Sequence, residues 1–256
     1  MSSLRVITFN MQYGQTWDPA NPDDAPVVLQ HTIDEIARLD ADVVLLQEVE
    51  RVEPAKGQIE PPPNFSQIKA ALPQYHSFFS YPCKDARELP FGYGLAILCK
   101  TPLYGTEVID LPAPAISFNF MGTMTSPTKR VLIGAKTMIA GKEIQLYNTH
   151  LQAFFIIEYS SDNHSEQRES VALALRQSKL PTILGGDLNT APGECTVAHL
   201  EAAGYKTAQR ACITWKRMPY VLDHLFYNKP FVLEASEIIS TTASDHDILL
   251  AQLSLK

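Results

Sequence analysis

Thr182-Ile183-Leu184-Gly185-Gly186-Asp187-Leu188-Asn189 reads as a buried strand that ends in chemistry. A short apolar run bounded by a turn signal is a strand pattern, the two glycines let another backbone approach closely, and Asp187 and Asn189 share one face of an extended segment. The same pattern recurs along the chain. Val6-Ile7-Thr8-Phe9 ends in Asn10, Val43-Val44-Leu45-Leu46 in Gln47-Glu48, and Ile144-Gln145-Leu146-Tyr147 in Asn148-Thr149-His150, while Ser244-Asp245-His246 directly precedes the run 248–253. Carboxylates, amides and imidazoles at half-buried strand tips are costly unless they pair or bind something. Taken singly, Asn10 also fits a loop cap, Glu48 a solvated strand-end charge and His150 a satisfied hydrogen-bonding residue. Asp245 and His246 would face opposite ways on a straight strand, so they serve one site only if the chain turns there.

Strand patterns fall at 4–10, 43–49, 93–99, 131–139, 143–150, 182–187, 222–227 and 248–253. Leu29, Ile33, Ile36 and Ala37 lie at i, i+4, i+7 and i+8, one stripe of a helix. Asn64 with Gln67 has the form of an N-cap and its partner, opening a short helix that stops at Pro73. Residues 165–180 and 195–203 read as two more helices. Strands dominate both halves with helices interspersed, which predicts two packed sheets with helices outside rather than a doubly wound parallel sheet. With no break in composition and no repeat period, residues 1–256 are expected to form a single domain. Long loops are expected at 51–64, 111–129 and 152–163, and loops of that length tend to carry function.

The 256 residues are 45% hydrophobic and 19% charged, an ordinary globular composition. Against 28 Asp plus Glu stand 21 Lys plus Arg, for a net charge of -7, which argues against holding long nucleic acid by bulk charge while leaving room for a local cationic groove. A surplus of carboxylates is also what gathers round a divalent cation. The opening residues turn polar too soon for a signal-peptide core, and no apolar stretch approaches the roughly 20 residues of a membrane helix. Cys83, Cys99, Cys195 and Cys212 form no C-x-x-C pair and are read as reduced thiols in a cytoplasmic setting.

The order of these motifs resembles that of the endonuclease/exonuclease/phosphatase superfamily of metal-dependent phosphoesterases. The matching segments are Thr8-Phe9-Asn10, Leu46-Gln47-Glu48-Val49, Gly92-Tyr93-Gly94-Leu95-Ala96-Ile97-Leu98, Asn148-Thr149-His150-Leu151, Gly186-Asp187-Leu188-Asn189, Leu222-Asp223-His224-Leu225-Phe226 and Ser244-Asp245-His246. The resemblance implies an α/β fold, a four-layered sandwich of two mainly antiparallel β-sheets flanked by helices, with the active site at one rim. It implies a magnesium ion, with manganese as the alternative, held chiefly by Glu48 with Asp245 contributing and Asn10 close by, directly or through water. By the same resemblance Asp187 orients or deprotonates the attacking water, and Asn189 donates to the phosphate oxygens, with Asn10 also on the substrate side. His246 stabilises the charge at phosphorus, Asp223 holds His246, and His150 protonates the leaving oxygen. The implied enzyme is a hydrolase of phosphate esters, foremost a phosphodiesterase, acting on nucleic acid, a phospholipid head group or a small phosphodiester. It is expected as a monomer without stable membrane association. The alternative is a module that holds a phosphate ligand or partner on the same fold without hydrolysis.

Five positions are read on their own account. Asp247 stands where many family members have a variable residue before proline, and is taken as a solvated strand start. His224, where an aromatic is frequent, is expected to pack beside the sheet. Trp215 belongs either to the core or to the pocket border, and Lys129-Arg130 is read as a solvated basic pair in preference to a phosphate contact.

Overall fold

The computed structural model describes residues 2–53, 57–209 and 211–256. One six-stranded sheet runs, edge to edge, through Phe231–Ile239, Ile248–Leu255, Ser2–Asn10, Val43–Gln47, Leu95–Cys99 and His76–Ser80. The other runs through Lys206–Thr207, Asp223–Tyr227, Thr182–Asp187, Lys142–His150, Arg130–Ile139 and Tyr104–Leu111.

Each sheet is antiparallel except for one pair. Ser2–Asn10 runs parallel to Val43–Gln47, with Asn10 opposite Gln47; Lys142–His150 runs parallel to Thr182–Asp187, with His150 opposite Asp187. A parallel pair needs a crossover, and the helices Leu29–Leu39 and Glu166–Gln177 lie within the two crossovers. Parallel strands end together, so both pairs deliver their polar tips to the same rim.

Alternation along the strands sorts the apolar residues into layers. Val43 and Leu45 point between the sheets, where they join Ile133, Leu146, Ile183 and Leu225 in one core. Val44 and Leu46 point the other way and are covered by Ile33 and Ile36 of the first crossover helix and Ile68 of the helix Pro63–Ala71. Leu132, Leu184 and Phe226 are covered on the far side by Val171 and Leu175 of the second crossover helix and Leu200 of the helix Thr196–Ala202. The layers are therefore helix, sheet, sheet, helix, the expected sandwich. Gly185 is required by this packing, since a Cβ there would lie 2.4 Å from Leu45 Cδ1 of the opposite sheet.

A buried amide bridge joins the sheets just below the rim. Asn148 Nδ2 donates to the carbonyls of Leu46 at 2.8 Å and Ala96 at 2.9 Å, and its Oδ1 accepts from Gln47 Nε2 at 2.6 Å. Gln47 Nε2 also donates to Thr8 Oγ1 at 3.0 Å.

Several expectations are corrected. Asn64 does not cap its helix: the N-cap position is Pro62, Glu50 Oε1 accepts from the Phe65 N–H at 2.8 Å, and Asn64 Nδ2 donates to the carbonyls of Tyr13 and Val49. Proline supplies the starting φ and a carboxylate from outside the helix takes its free donor. Inside the expected loop 111–129 lies a hairpin, Phe118–Phe120 with Thr123–Thr125, and inside 152–163 a 3-10 turn, Phe154–Ile157. Of the expected loop 51–64, residues 54–56 lie outside the described residues. No disulfide joins the cysteines among the described residues, Cys99 is buried, and no helix among the described residues is long and apolar enough to cross a membrane.

Asn148→Ala removes the cross-sheet donor from two buried carbonyls while leaving Gln47 its bond to Thr8. The expected loss is about 2–4 kcal/mol of unfolding free energy, read from urea denaturation, and a loss below about 0.5 kcal/mol would show that the bridge does not hold the sheets.

Candidate active site

The rim carries a cleft of about 1070 Å³ whose lining includes Glu48, His150, Asp187, Asn189, Asp245 and His246. Asn10 sits beneath it. Its Nδ2 donates to Glu48 Oε1 at 3.1 Å and to Asp187 Oδ2 at 3.0 Å, so one amide spans a carboxylate from each sheet. Its Oδ1 is engaged by the Gln12 N–H at 3.1 Å, which makes Asn10 a bridge between the carboxylates in this arrangement.

Glu48 is turned into the cleft by a backbone at φ 50°, just past the end of Val43–Gln47. The space it fills is supplied by Gly92, where a Cβ would lie 2.0 Å from Glu48 Oε2. Burial pushes its pKa up to about 7 against the lowering hydrogen bond from Asn10, with the charges of Asp245 and Asp187 adding to the rise. Asp187, also raised by burial and by the charge of Asp223, is pushed up to about 6. Its Oδ1 accepts from the Asn189 N–H at 2.9 Å, and Asn189 Nδ2 donates to the Leu151 carbonyl at 3.0 Å.

Opposite these lies a buried ion pair. His246 Nδ1 is 2.8 Å from Asp223 Oδ2, and its Nε2 is 3.8 Å from Asp187 Oδ2. Burial would lower the pKa of His246, but the charge and hydrogen bond of Asp223, with Asp187 and Asp245 behind them, lift it to about 10. The imidazole is therefore cationic at neutral pH, with Nε2 toward the cleft floor. His150 behaves oppositely. Its Nε2 lies 3.5 Å from Asp187 Oδ2 and 3.8 Å from Glu48 Oε1, yet burial, then the positive charges of Arg130 and His246, hold its pKa well below the ordinary value, so it is neutral.

The turn carrying Asp245 and His246 is gripped by three consecutive residues. Trp215 Nε1 and Arg217 Nε donate to Asp245 Oδ2 at 3.2 Å and 2.6 Å. Lys216 Nζ donates to the carbonyls of Thr241, Ser244 and His246 and pairs with Asp247 Oδ1 at 3.0 Å. A bend over 242–245 resolves the problem of opposite faces. Asp247 is half-buried and paired, not a solvated strand start, because the lysine needs a counter-charge inside the turn. Arg217 continues to Asp23 Oδ1 at 2.6 Å.

Residues 129 and 130 part company. Lys129 is exposed and paired with Asp110 at 3.0 Å, as expected of a surface cation. Arg130 is half-buried, lines the cleft, stands 5.7 Å over the Tyr93 ring and has a buried Nε without a hydrogen-bond partner. His224 is buried and stacks on Phe226, as expected, and Trp215 borders the cleft. Arg217 and Lys216 escaped the sequence reading. The signal available was a basic pair directly after Trp215 in an acidic chain.

Among the described residues Asp187, Asp223 and His246 form a group of potential metal ligands within 4.8 Å. A protonated histidine already bound to a carboxylate has no lone pair to offer a cation, so this group is charge-paired instead. The better cradle is at Glu48. Among the described residues neither Glu48 nor Asp187 pairs with a lysine or arginine, and Asp245 keeps Oδ1 clear of Arg217. Hard oxygen donors, few carboxylates and an uncompensated buried charge fit a divalent cation that retains water.

The fold is shared with solved structures at identities that speak to architecture alone. An endonuclease/exonuclease/phosphatase from Beutenbergia cavernae is 21% identical, with a TM-score of 0.73 over 100% of this chain and 72% of that one. The human Nocturnin catalytic domain with bound sulfate anion is 19% identical, with a TM-score of 0.70 over 99% and 95%. D. rerio TDP2 complexed with single-strand DNA product is 20% identical, with a TM-score of 0.67 over 99% and 100%. No curated protein matches the sequence significantly. The model of the Endonuclease/Exonuclease/phosphatase family matches residues 7–246, a span that begins in the first strand of the floor and ends on the imidazole above it. The chain belongs to that family and is a hydrolase of phosphate esters.

Proposed function

We propose that this enzyme is a magnesium-dependent phosphodiesterase in which Asp187 activates the attacking water. The observation that carries the reading is the Asn10 amide, which holds the cation-seeking carboxylate of Glu48 and the raised-pKa carboxylate of Asp187 on two bonds of one nitrogen. A base with a pKa of about 6 is ionised at neutral pH and still basic enough to take a proton from water. Glu48 and Asp245 would hold the cation, which when bound offsets charge on the phosphate oxygens.

In the reaction, the water oxygen forms a bond to phosphorus as its proton passes to Asp187, and the bond from phosphorus to the ester oxygen breaks. His246, cationic through Asp223, faces the growing charge at phosphorus. Arg130, which lines the cleft, offers its guanidinium to a phosphate oxygen, and Asn189 stands beside Asp187 as a further donor. The leaving oxygen takes its proton from His150. Because His150 is neutral in the free enzyme, it serves as the acid only after the bound phosphate has drawn its pKa upward.

Glu48→Gln is expected to weaken magnesium binding in calorimetry while circular dichroism and melting stay those of the parent. In the parent, affinity should fall by about tenfold per pH unit below about 7, where the cation must displace a proton from Glu48, and level off above it. Flat affinity from pH 6 to pH 8, roughly one unit either side of that pKa, would exclude Glu48 as the ligand. Asp187→Asn keeps the shape but cannot accept a proton, so turnover of bis-p-nitrophenyl phosphate at saturating magnesium should drop by about 10² to 10⁴ with little change in substrate affinity. Near-normal turnover would remove Asp187 from the base role. Asp223→Asn should lower the NMR titration of His246 from about 10, since the charge and hydrogen bond that raise it most are removed. In stability terms the pair's contribution is full below about 6.5 and is lost as pH rises through about 10. An unmoved titration would show that Asp223 does not hold the imidazole.

A further inference from the structure

The cleft is built from two kinds of surface. Its floor is the polar rim described above; its wall comes from two of the segments that the sequence marks as long loops, 111–129 and 152–163, together with residues 89–91. The wall is apolar and open. Met121 is 91% exposed, Met124 65%, Ile156 60% and Phe91 47%, all facing one concavity shared with the catalytic floor. Large apolar side chains gathered in a cleft, instead of scattered singly, mark a binding surface.

This wall is constructed, with ties between its three parts. Phe91 meets Phe120 edge-on at 5.5 Å, Tyr159 OH donates to the Ser117 carbonyl at 3.1 Å, and Arg87 Nη1 donates to Ser126 Oγ at 3.0 Å. Two polar side chains of the wall are engaged as well. Asn119 Oδ1 accepts from the Gly122 N–H within the hairpin turn, and Arg87 is held by Asp85 at 2.6 Å. A nucleobase is read by hydrogen bonds to its edge and a polyanion by a track of unpaired cations. The wall offers methionine and phenylalanine surface instead. Methionine, unbranched and polarizable, adapts to a flexible apolar ligand.

We propose that the phosphoester hydrolysed here carries an aliphatic substituent, which lies along Phe91, Phe120, Met121, Met124 and Ile156 while its phosphate sits on the floor between Glu48, Asp187 and His246. The inference rests on the function proposed above and adds the substrate class. A cleft of about 1070 Å³ is at the upper end of the roughly 300–1,000 Å³ that encloses a drug-sized ligand, far more than one phosphate group occupies.

The test compares octyl p-nitrophenyl phosphate with methyl p-nitrophenyl phosphate, both as monomers in solution with magnesium, for the parent and for Met121→Ser/Met124→Ser. Both methionines are exposed, so the double substitution leaves the folded core untouched. The parent is expected to favour the octyl ester in kcat/KM by about tenfold or more, and the double variant to bring that ratio within about threefold. Calorimetric binding of octyl phosphate and methyl phosphate is measured on the same two proteins. Octyl phosphate binding more tightly to the parent alone, with neither ester hydrolysed, would sink the phosphodiesterase reading and leave the wall's assignment standing. Equal turnover of the two esters with equal binding would do the reverse. Cosedimentation of the parent with phosphatidylcholine vesicles, without any octyl preference in solution, would make the wall a membrane contact and overturn the proposal.

Discussion

One side chain, Asn148, decides how the two sheets meet. Its amide reaches across the interior to the carbonyls of Leu46 and Ala96 and takes the amide of Gln47 in return. A polar bridge in an apolar layer works only in one relative placement of the sheets, because every other placement leaves the buried amide of Asn148 unpaired. Apolar contacts between Leu45, Ile133 and Leu146 would tolerate some sliding; this bridge does not. Glu48 follows Gln47 and His150 lies two residues beyond Asn148, so the same contact that sets the packing also sets the distance between the chemistry-bearing strand ends.

The charges above that bridge are arranged by what is paired and what is left. Asp223 is matched by His246, Asp247 by Lys216, and one oxygen of Asp245 by Arg217. Glu48 and Asp187 share an amide and a neutral imidazole, and the nearest cation to Asp187 is the His246 ring already held by Asp223, at 3.8 Å. Burial raises the pKa of both, and a protein that gains nothing from that arrangement would have placed a lysine nearby or exposed the groups. The pairings around the periphery hold the turns still, and the carboxylates in the middle, which no lysine or arginine meets among the described residues, carry the affinity for a cation and for a proton.

How much of this could be read beforehand follows from where each residue sits. Asn10, Glu48, His150 and Asp187 end apolar runs, so strand patterning announced them, while their shared rim came only with the family resemblance. The sheets' outer strands were harder: Tyr104–Leu111 and Phe231–Ile239 are edges with solvent on one side, and their mixed composition hides a strand. Asn64 carries the local form of a cap, but its amide is drawn away by two carbonyls from distant segments, a tertiary pull that no local pattern contains. Arg130 and Lys129 look alike in sequence and differ because a strand begins between them, turning one toward Tyr93 and the other toward Asp110. Arg217 meets Asp245 only through the fold.

The hairpin 118–125 consists of two three-residue strands, whereas the floor rests on strands paired on both sides in six-stranded sheets. A short isolated hairpin has little stability of its own, and amide protons in such elements exchange through local opening long before those of central strands. The two surfaces of the cleft thus differ in what holds them: the hairpin has one three-residue ladder and the contact of Phe120 with Phe91, whereas Glu48, Asp187 and His246 stand on or beside the ends of strands laddered on both sides. Ligand entry and departure draw on the loose side, and the reacting atoms keep their spacing throughout. Sequence drift in the hairpin is buffered from the floor in the same way, so preference for one ester over another can change over generations without the hydrolytic geometry being rebuilt.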